Sequence, residues 1–195
     1  MAIPHPPLPA RACLLCGGES RRMGRDKARL VVRGQSLLLR AVTTARRAGA
    51  AEVFVSGREG GDYTDSKCPV LFDAKPGLGP LGGIERALNE AASPLLLVLA
   101  VDLPQVTPVF LRKLISRCTA DNGVVPRCRD ELEPLVAAYP KHCLALVREA
   151  LAQGQLAARD FAEACLRSGA VREFQIATRD LACLANWNSP ADLSA

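Results

Sequence analysis

Leu14-Leu15-Cys16-Gly17-Gly18-Glu19-Ser20-Arg21-Arg22-Met23-Gly24-Arg25-Asp26-Lys27-Ala28 continues an apolar, strand-like run and closes it with two glycines and a cluster of cations. Glycine has no Cβ, so at Gly17 and Gly18 the backbone can approach a ligand closely and turn its N–H groups toward an anion. Arg22 and Lys27 add charge of two kinds, a guanidinium that binds phosphate oxygens in pairs and an ammonium that acts as a point charge. A strand ending this way reads as a phosphate loop. It is neither of the two common nucleotide loops. A Walker A motif needs Gly-Lys-Ser/Thr in series and a dinucleotide loop needs G-x-G-x-x-G, whereas Gly24 is followed by Arg25-Asp26-Lys27. GTPase and dehydrogenase readings lose ground. The alternative is an ordinary turn with solvent-facing arginines, and the clustering of glycines and cations at one strand end argues against it.

Outward from this loop, strand-like apolar runs at residues 12–16, 52–56, 69–72, 95–101 and 123–126 alternate with amphipathic stretches of helical period. That alternation predicts an α/β fold, a Rossmann-like three-layer αβα sandwich with a mostly parallel central sheet. Residues 135–139 and 172–176 read as edge or return strands. Ser36 is placed to cap a helix through Leu37, Leu38, Ala41, Val42 and Ala45 that ends near Gly49, and Thr107-Pro108 starts another through Phe110, Leu111, Leu114 and Ile115. No repeat or linker divides the 195 residues, so residues 1–195 are expected to form one nucleotide-handling domain, with residues 1–10 as a loose proline-rich lead.

Composition narrows the function. The longest apolar run, residues 94–101, is strand-sized and stops at Asp102, so no membrane span is expected, and the lead lacks a secretory pattern, which favours the cytoplasm. Eight cysteines scattered through strand and helix segments read as reduced, mostly buried thiols. Cys13 and Cys16 form a lone C-x-x-C, but on a strand they point to opposite faces and share no metal. A net charge of +5 could serve nucleic acid; with aromatics at 4% and no reader motif, a small anionic substrate fits better. The only histidines are His5, in the lead, and His142, on a surface helix, which leaves hydrolase nucleophile pairs without support.

Asp102 ends the most apolar strand, where the carboxyl ends of an open α/β sheet border a ligand crevice. It either holds Mg²⁺, an oxygen-seeking ion that shares its ligands with substrate phosphates, or only caps the turn before Pro104. Asp73 stands at another strand end, and Gly79 to Gly83 is either a flexible loop or an anion seat before a helix.

The segment from Leu15 to Ala28 resembles the L-A-G-G-x-S-x-R-M-G-x-D-K-A signature of the molybdenum cofactor guanylyltransferases, departing from it at Cys16, where that family usually has alanine. Asp73 with Gly79-Pro80-Leu81-Gly82-Gly83 resembles its D…G-P-L-x-G segment, and Ala100-Val101-Asp102-Leu103-Pro104 its C-D-x-P strand end. Glu133-Pro134-Leu135-Val136-Ala137-Ala138-Tyr139 is similar to its E-P-L-x-A-x-Y stretch, and Asn186-Trp187-Asn188-Ser189-Pro190-Ala191-Asp192-Leu193 to its N-x-N-T-P-E-D-L.

The resemblance implies transfer of GMP from GTP to the phosphate of molybdopterin with release of pyrophosphate. It makes Arg22, Lys27 and Asp102 the catalytic residues, and Leu15, Cys16, Gly17, Gly18, Lys27, Ser56, Asp73 and Asp102 the nucleotide contacts. Asp102 is the Mg²⁺ ligand. Ser56 stands where the family commonly has asparagine and becomes a ribose or base contact. The Gly17-Gly18 pair tips base choice toward guanine, since related cytidylyltransferases carry Ala-Gly there. Arg127, Arg129 and the Glu133-Pro134-Leu135 turn fall where the family builds its pterin pocket, or they are ordinary surface. Asn186 and Asn188 are site residues or turn and cap residues. The product would pass to molybdenum-insertion and molybdoenzyme partner proteins. A cytidylyltransferase, a sugar-phosphate nucleotidyltransferase and a non-catalytic nucleotide-binding module on the same fold remain as rivals.

Overall fold

The structure is a computed structural model and describes residues 10–16, 27–73, 75–185 and 187. Strand β1 (Ala10–Leu15) already includes Ala10, so the sheet begins one residue inside the expected lead. A 3₁₀ turn at Lys27–Arg29 leads to a small hairpin, β2 (Val31–Val32) with β3 (Gln35–Ser36), which sequence periodicity was too short to signal. Helix α1 (Leu37–Ala48) follows, capped as expected: Ser36 Oγ accepts from the Leu39 N–H at 3.2 Å, and Gly49 takes a left-handed conformation just past its end. Then come β4 (Glu52–Gly57), β5 (Val70–Phe72), α2 (Gly79–Glu90) and β6 (Leu95–Ala100). Helix α3 (Pro108–Ile115) starts on Thr107, whose Oγ1 accepts from the Phe110 N–H. Next come β7 (Gly123–Cys128), β8 (Glu131–Leu132), β9 (Val136–Pro140), α4 (Cys143–Ala152), α5 (Ala158–Arg167) and β10 (Val171–Gln175), followed by a 3₁₀ segment at Thr178–Leu184.

The main sheet runs β10-β7-β9-β6-β1-β4-β5, with β8 hairpinned onto β7. Pairs β1/β4, β1/β6, β4/β5 and β7/β10 are parallel, and β9 runs against both β6 and β7. The return strand is therefore an interior strand rather than an edge. Alternation of small and apolar residues in Val136–Pro140, all buried, fits a place between two neighbours, and β10, with its exposed Arg172 and Glu173, takes the edge.

Two packed layers sandwich the sheet. Ala12, Leu14, Val53, Leu97 and Leu99 face α1 and α3, while Cys13, Leu15, Leu96, Val98 and Tyr139 face α2, α4 and α5. Every residue of β6 is buried because both of its faces are covered, which is why its sequence is a continuous apolar run rather than an alternation. Cys13 and Cys16 fall into opposite layers, as strand geometry requires. All eight cysteines are free thiols, and burial pushes the Cys13 thiol up to about 12, which keeps it protonated and inert.

Candidate active site

Because β6, β1, β4 and β5 are adjacent and parallel, their carboxyl ends lie along one edge of the sheet. They deliver Asp102, Cys16, Ser56 and Asp73 in that order across about 14 Å, three strand spacings. Parallel pairing thus assembles residues that are far apart in the chain.

At one end, Lys27 Nζ stands 3.5 Å from Asp102 Oδ2, with 23% and 28% of the two side chains exposed. Among the described residues the turn after β6 is closed by main-chain bonds, the Leu103 N–H donating to the Ala100 carbonyl at 3.4 Å and the Val101 N–H to the Leu15 carbonyl at 3.3 Å. Among the described residues the Asp102 carboxylate meets Lys27 rather than the backbone of the turn before Pro104. Among the described residues no group of three or more His, Cys, Asp and Glu could hold a metal. A single partly exposed carboxylate at a strand end still fits Mg²⁺, which is normally held by one or two carboxylates together with substrate phosphates.

At the other end, Asp73 Oδ1 is buried and has no hydrogen-bond donor. Burial, and after it the neighbouring Glu85 carboxylate, hold the Asp73 carboxyl above its ordinary range. A buried acceptor without a donor carries a desolvation cost that a ligand N–H or O–H would relieve.

Between these ends, the Cys16 N–H donates to the Ser56 carbonyl at 2.9 Å, so sheet pairing continues one residue past β1. Ser56 is buried, with its hydroxyl beneath the first turn of α2. That helix starts at Gly79, so Gly82 and Gly83 are its fourth and fifth residues and are not a flexible lead into it. A Cβ on Gly83 would sit 2.2 Å from Ser56 Oγ and 2.9 Å from Leu15 Cδ2, and one on Gly82 would sit 2.7 Å from Asp73 Oδ2. The two glycines exist to bring the helix start into contact with the strand ends. No side chain caps that start at Leu78.

Residues 12–169 match the MobA-like NTP transferase domain. The chain belongs to this family of nucleotidyltransferases. It is 37% identical to a probable molybdenum cofactor guanylyltransferase of Opitutus terrae over 92% of this chain and 90% of that protein. Its fold is similar to that of molybdopterin-guanine dinucleotide biosynthesis protein A from Archaeoglobus fulgidus, with TM-score 0.73, 23% identity and coverage of 94% and 95%. The 2-C-methyl-D-erythritol 4-phosphate cytidylyltransferase of Thermus thermophilus shares the fold as well, with TM-score 0.70, 18% identity and coverage of 93% and 94%.

The MobA-like frame sorts the expected residues. Leu15, Cys16, Lys27, Ser56, Asp73 and Asp102 come to the one edge; Gly17, Gly18, Arg22, Asn186 and Asn188 lie outside the described residues. Arg127 is engaged within the sheet. Its guanidinium grips Glu173 of β10 in a bidentate pair at 2.6 and 2.8 Å and donates to the Asp130 carbonyl. Arg129 sits in the β7–β8 turn with φ of 54°, a local turn requirement. In the Glu133-Pro134-Leu135 stretch, the buried Tyr139 donates its hydroxyl to the Pro134 carbonyl at 3.0 Å, which explains the spacing of tyrosine from the turn it secures.

Sequence reasoning pointed to the Glu133-Pro134-Leu135 wall of a pocket but missed Glu131, Arg159 and Trp187. A cavity of about 330 Å³ opens beside Asp102 and is lined by Glu131, Glu133, Pro134, Leu135 and Arg159, with Arg159 paired to Glu131 at 3.0 Å. Arg159 belongs to a helix that no motif marks. Trp187 was passed over between two asparagines, yet its N–H donates to the Asp102 carbonyl at 2.9 Å. Its standing as the single tryptophan was the available signal. His142 lies exposed at the start of α4. Among the described residues no helix is long and apolar enough to cross a membrane.

Proposed function

We propose that the chain transfers GMP from GTP to molybdopterin, releasing pyrophosphate. The observation that carries this is the Lys27–Asp102 pair at the joined ends of β1 and β6, with the donorless Asp73 on the same edge. The guanylyltransferase name of a relative 37% identical over nearly the whole chain supports the choice of substrates.

In this reading a phosphate oxygen of molybdopterin attacks the α-phosphorus of GTP, a new P–O bond forms, and the bond from the α-phosphorus to the bridging oxygen breaks. Pyrophosphate leaves with the electron pair. The nucleophile is already an anion, so no protein base is required, and what the protein supplies is alignment and charge neutralisation. Lys27 neutralises the triphosphate and the departing pyrophosphate. Asp73 receives a nucleoside N–H or O–H. Asp102 would hold Mg²⁺, which supplies positive charge to the phosphates. The cavity beside Asp102 takes the pterin, its wall made by the turn that Tyr139 secures.

The test is pyrophosphate release from GTP, CTP and ATP with Mg²⁺, each with and without molybdenum-loaded molybdopterin. Release that needs both GTP and the pterin is expected. Release from CTP would move the chain to cytidylyl transfer, and no release from any nucleotide would overturn the catalytic reading.

A further inference from the structure

We propose that Trp187 is a positioning residue that ties together the two segments carrying Lys27 and Asp102. Its main-chain N–H donates to the Asp102 carbonyl at 2.9 Å, fixing the turn that presents the carboxylate. Its side chain, 9% exposed, forms a small cluster with Val32 and Leu37, against which Leu30 packs. Leu30 in turn donates its N–H to the Lys27 carbonyl at 3.1 Å and accepts the Leu37 N–H at 2.9 Å. One residue near the C-terminus therefore holds the Asp102 turn through its backbone and the turn after Lys27 through its indole.

This cluster is separate from the two cores on either face of the sheet. Among the described residues the indole is its largest member: a buried indole covers roughly 150–250 Å², and it packs on Val32 of the two-residue β2 and on Leu37 at the start of α1. Segments so short have little stability of their own, and the spacing of the Lys27–Asp102 pair depends on what clamps them. Removing the ring frees the turn after Lys27 directly and leaves the backbone bond to Asp102 on a segment that no longer has its side-chain anchor. The proposal rests on the reading of Lys27 and Asp102 as phosphate-facing charges and does not depend on the identity of the acceptor.

Because the chain has one tryptophan, its emission reports this contact alone. The experiment titrates that emission with GTP and Mg²⁺ beside equilibrium dialysis of labelled GTP, then measures the kinetics of Trp187→Phe and Trp187→Ala. Emission is expected to change saturably, with the midpoint seen in dialysis. Trp187→Phe keeps the backbone donor and a buried ring and retains kcat within a few-fold. Trp187→Ala loses kcat by on the order of 10²-fold, the effect of roughly 1 Å of misplacement, with a much smaller change in the KM for GTP. If the alanine variant does not fold, Trp187→Leu takes its place, with a smaller loss of kcat expected at unchanged KM. An emission blind to GTP that dialysis finds bound, or a folded alanine or leucine variant with the native kcat, overturns this proposal alone. No GTP bound in dialysis overturns it together with the guanylyl reading.

Discussion

The carboxyl edge of β6, β1, β4 and β5 and the β7–β10 corner both carry charge, and they treat it in opposite ways. At the edge, Lys27 and Asp102 stand at a long 3.5 Å and Asp73 keeps a buried oxygen without a donor. At the corner, Arg127 and Glu173 close a bidentate pair at 2.6 and 2.8 Å, and the arginine's remaining capacity goes to the Asp130 carbonyl. The corner is complete within itself. The edge is not, because a buried Asp73 oxygen is left without a donor, and an acceptor so placed suits a ligand N–H or O–H. Charge in the sequence therefore does not identify a site; how fully the fold satisfies that charge does.

Asp102→Ala puts the heaviest load on this contrast. It should lower turnover by on the order of 10²-fold or more, the cost of losing a preorganised electrostatic contact, while thermal unfolding stays near the native midpoint. Turnover unchanged in the presence of Mg²⁺ would remove Asp102 from the mechanism and with it the distinction between the two regions.

Gly83→Ala tests whether the edge is built by close approach. A Cβ there meets Ser56 Oγ at 2.2 Å and Leu15 Cδ2 at 2.9 Å, both on buried side chains with little room to give. A loss of about 1–3 kcal/mol in urea unfolding is expected, the usual cost of overpacking. A neutral result would mean that α2 can slide away from the strand ends.

Asp73→Asn separates binding from stability. The folded carboxyl titrates above its ordinary value of 3.8, so in the window above that value the folded state holds the proton more tightly than the unfolded state. Its contribution is favourable at low pH and is lost as pH rises through the folded value. At neutral pH the native chain thus buries part of an ionised, donorless carboxylate. The asparagine variant should melt higher than the native protein at pH 7, with the difference closing toward pH 3, while GTP binding weakens. A variant that melts lower at pH 7 would show that Asp73 is satisfied within the protein, as Arg127 is.

The smallest effect belongs to the corner. Arg127→Ala should shift thermal unfolding little, since the pair is partly solvent-exposed and such pairs contribute weakly, and should leave the KM for molybdopterin unchanged. A rise in that KM would make the corner part of the acceptor site after all.

How much could be read in advance follows the range of the interactions involved. Periodicity and capping are local, so the α/β class, the α1 and α3 starts at Ser36 and Thr107, and the opposed faces of Cys13 and Cys16 were legible from neighbouring residues. The strand ends that carry Asp102 and Asp73 were legible for the same reason: an apolar run that stops at a carboxylate marks its own boundary. The interior position of β9 was not, because two exposed or two paired edges produce similar short apolar segments. Nor was the fate of Arg127, since Glu173 reaches it only through the parallel pairing of β7 with β10.

Alone, the amino-acid sequence determined which elements form and which of them end in a glycine pair, a cation or a carboxylate, because these depend on contacts a few residues apart. Tertiary structure decided which charges remain available, that Gly82 and Gly83 serve helix-to-strand contact, and that Trp187 grips the Asp102 turn. Those outcomes depend on strand order and on the approach of distant segments, whose cost and reward are settled only when the whole sheet is assembled.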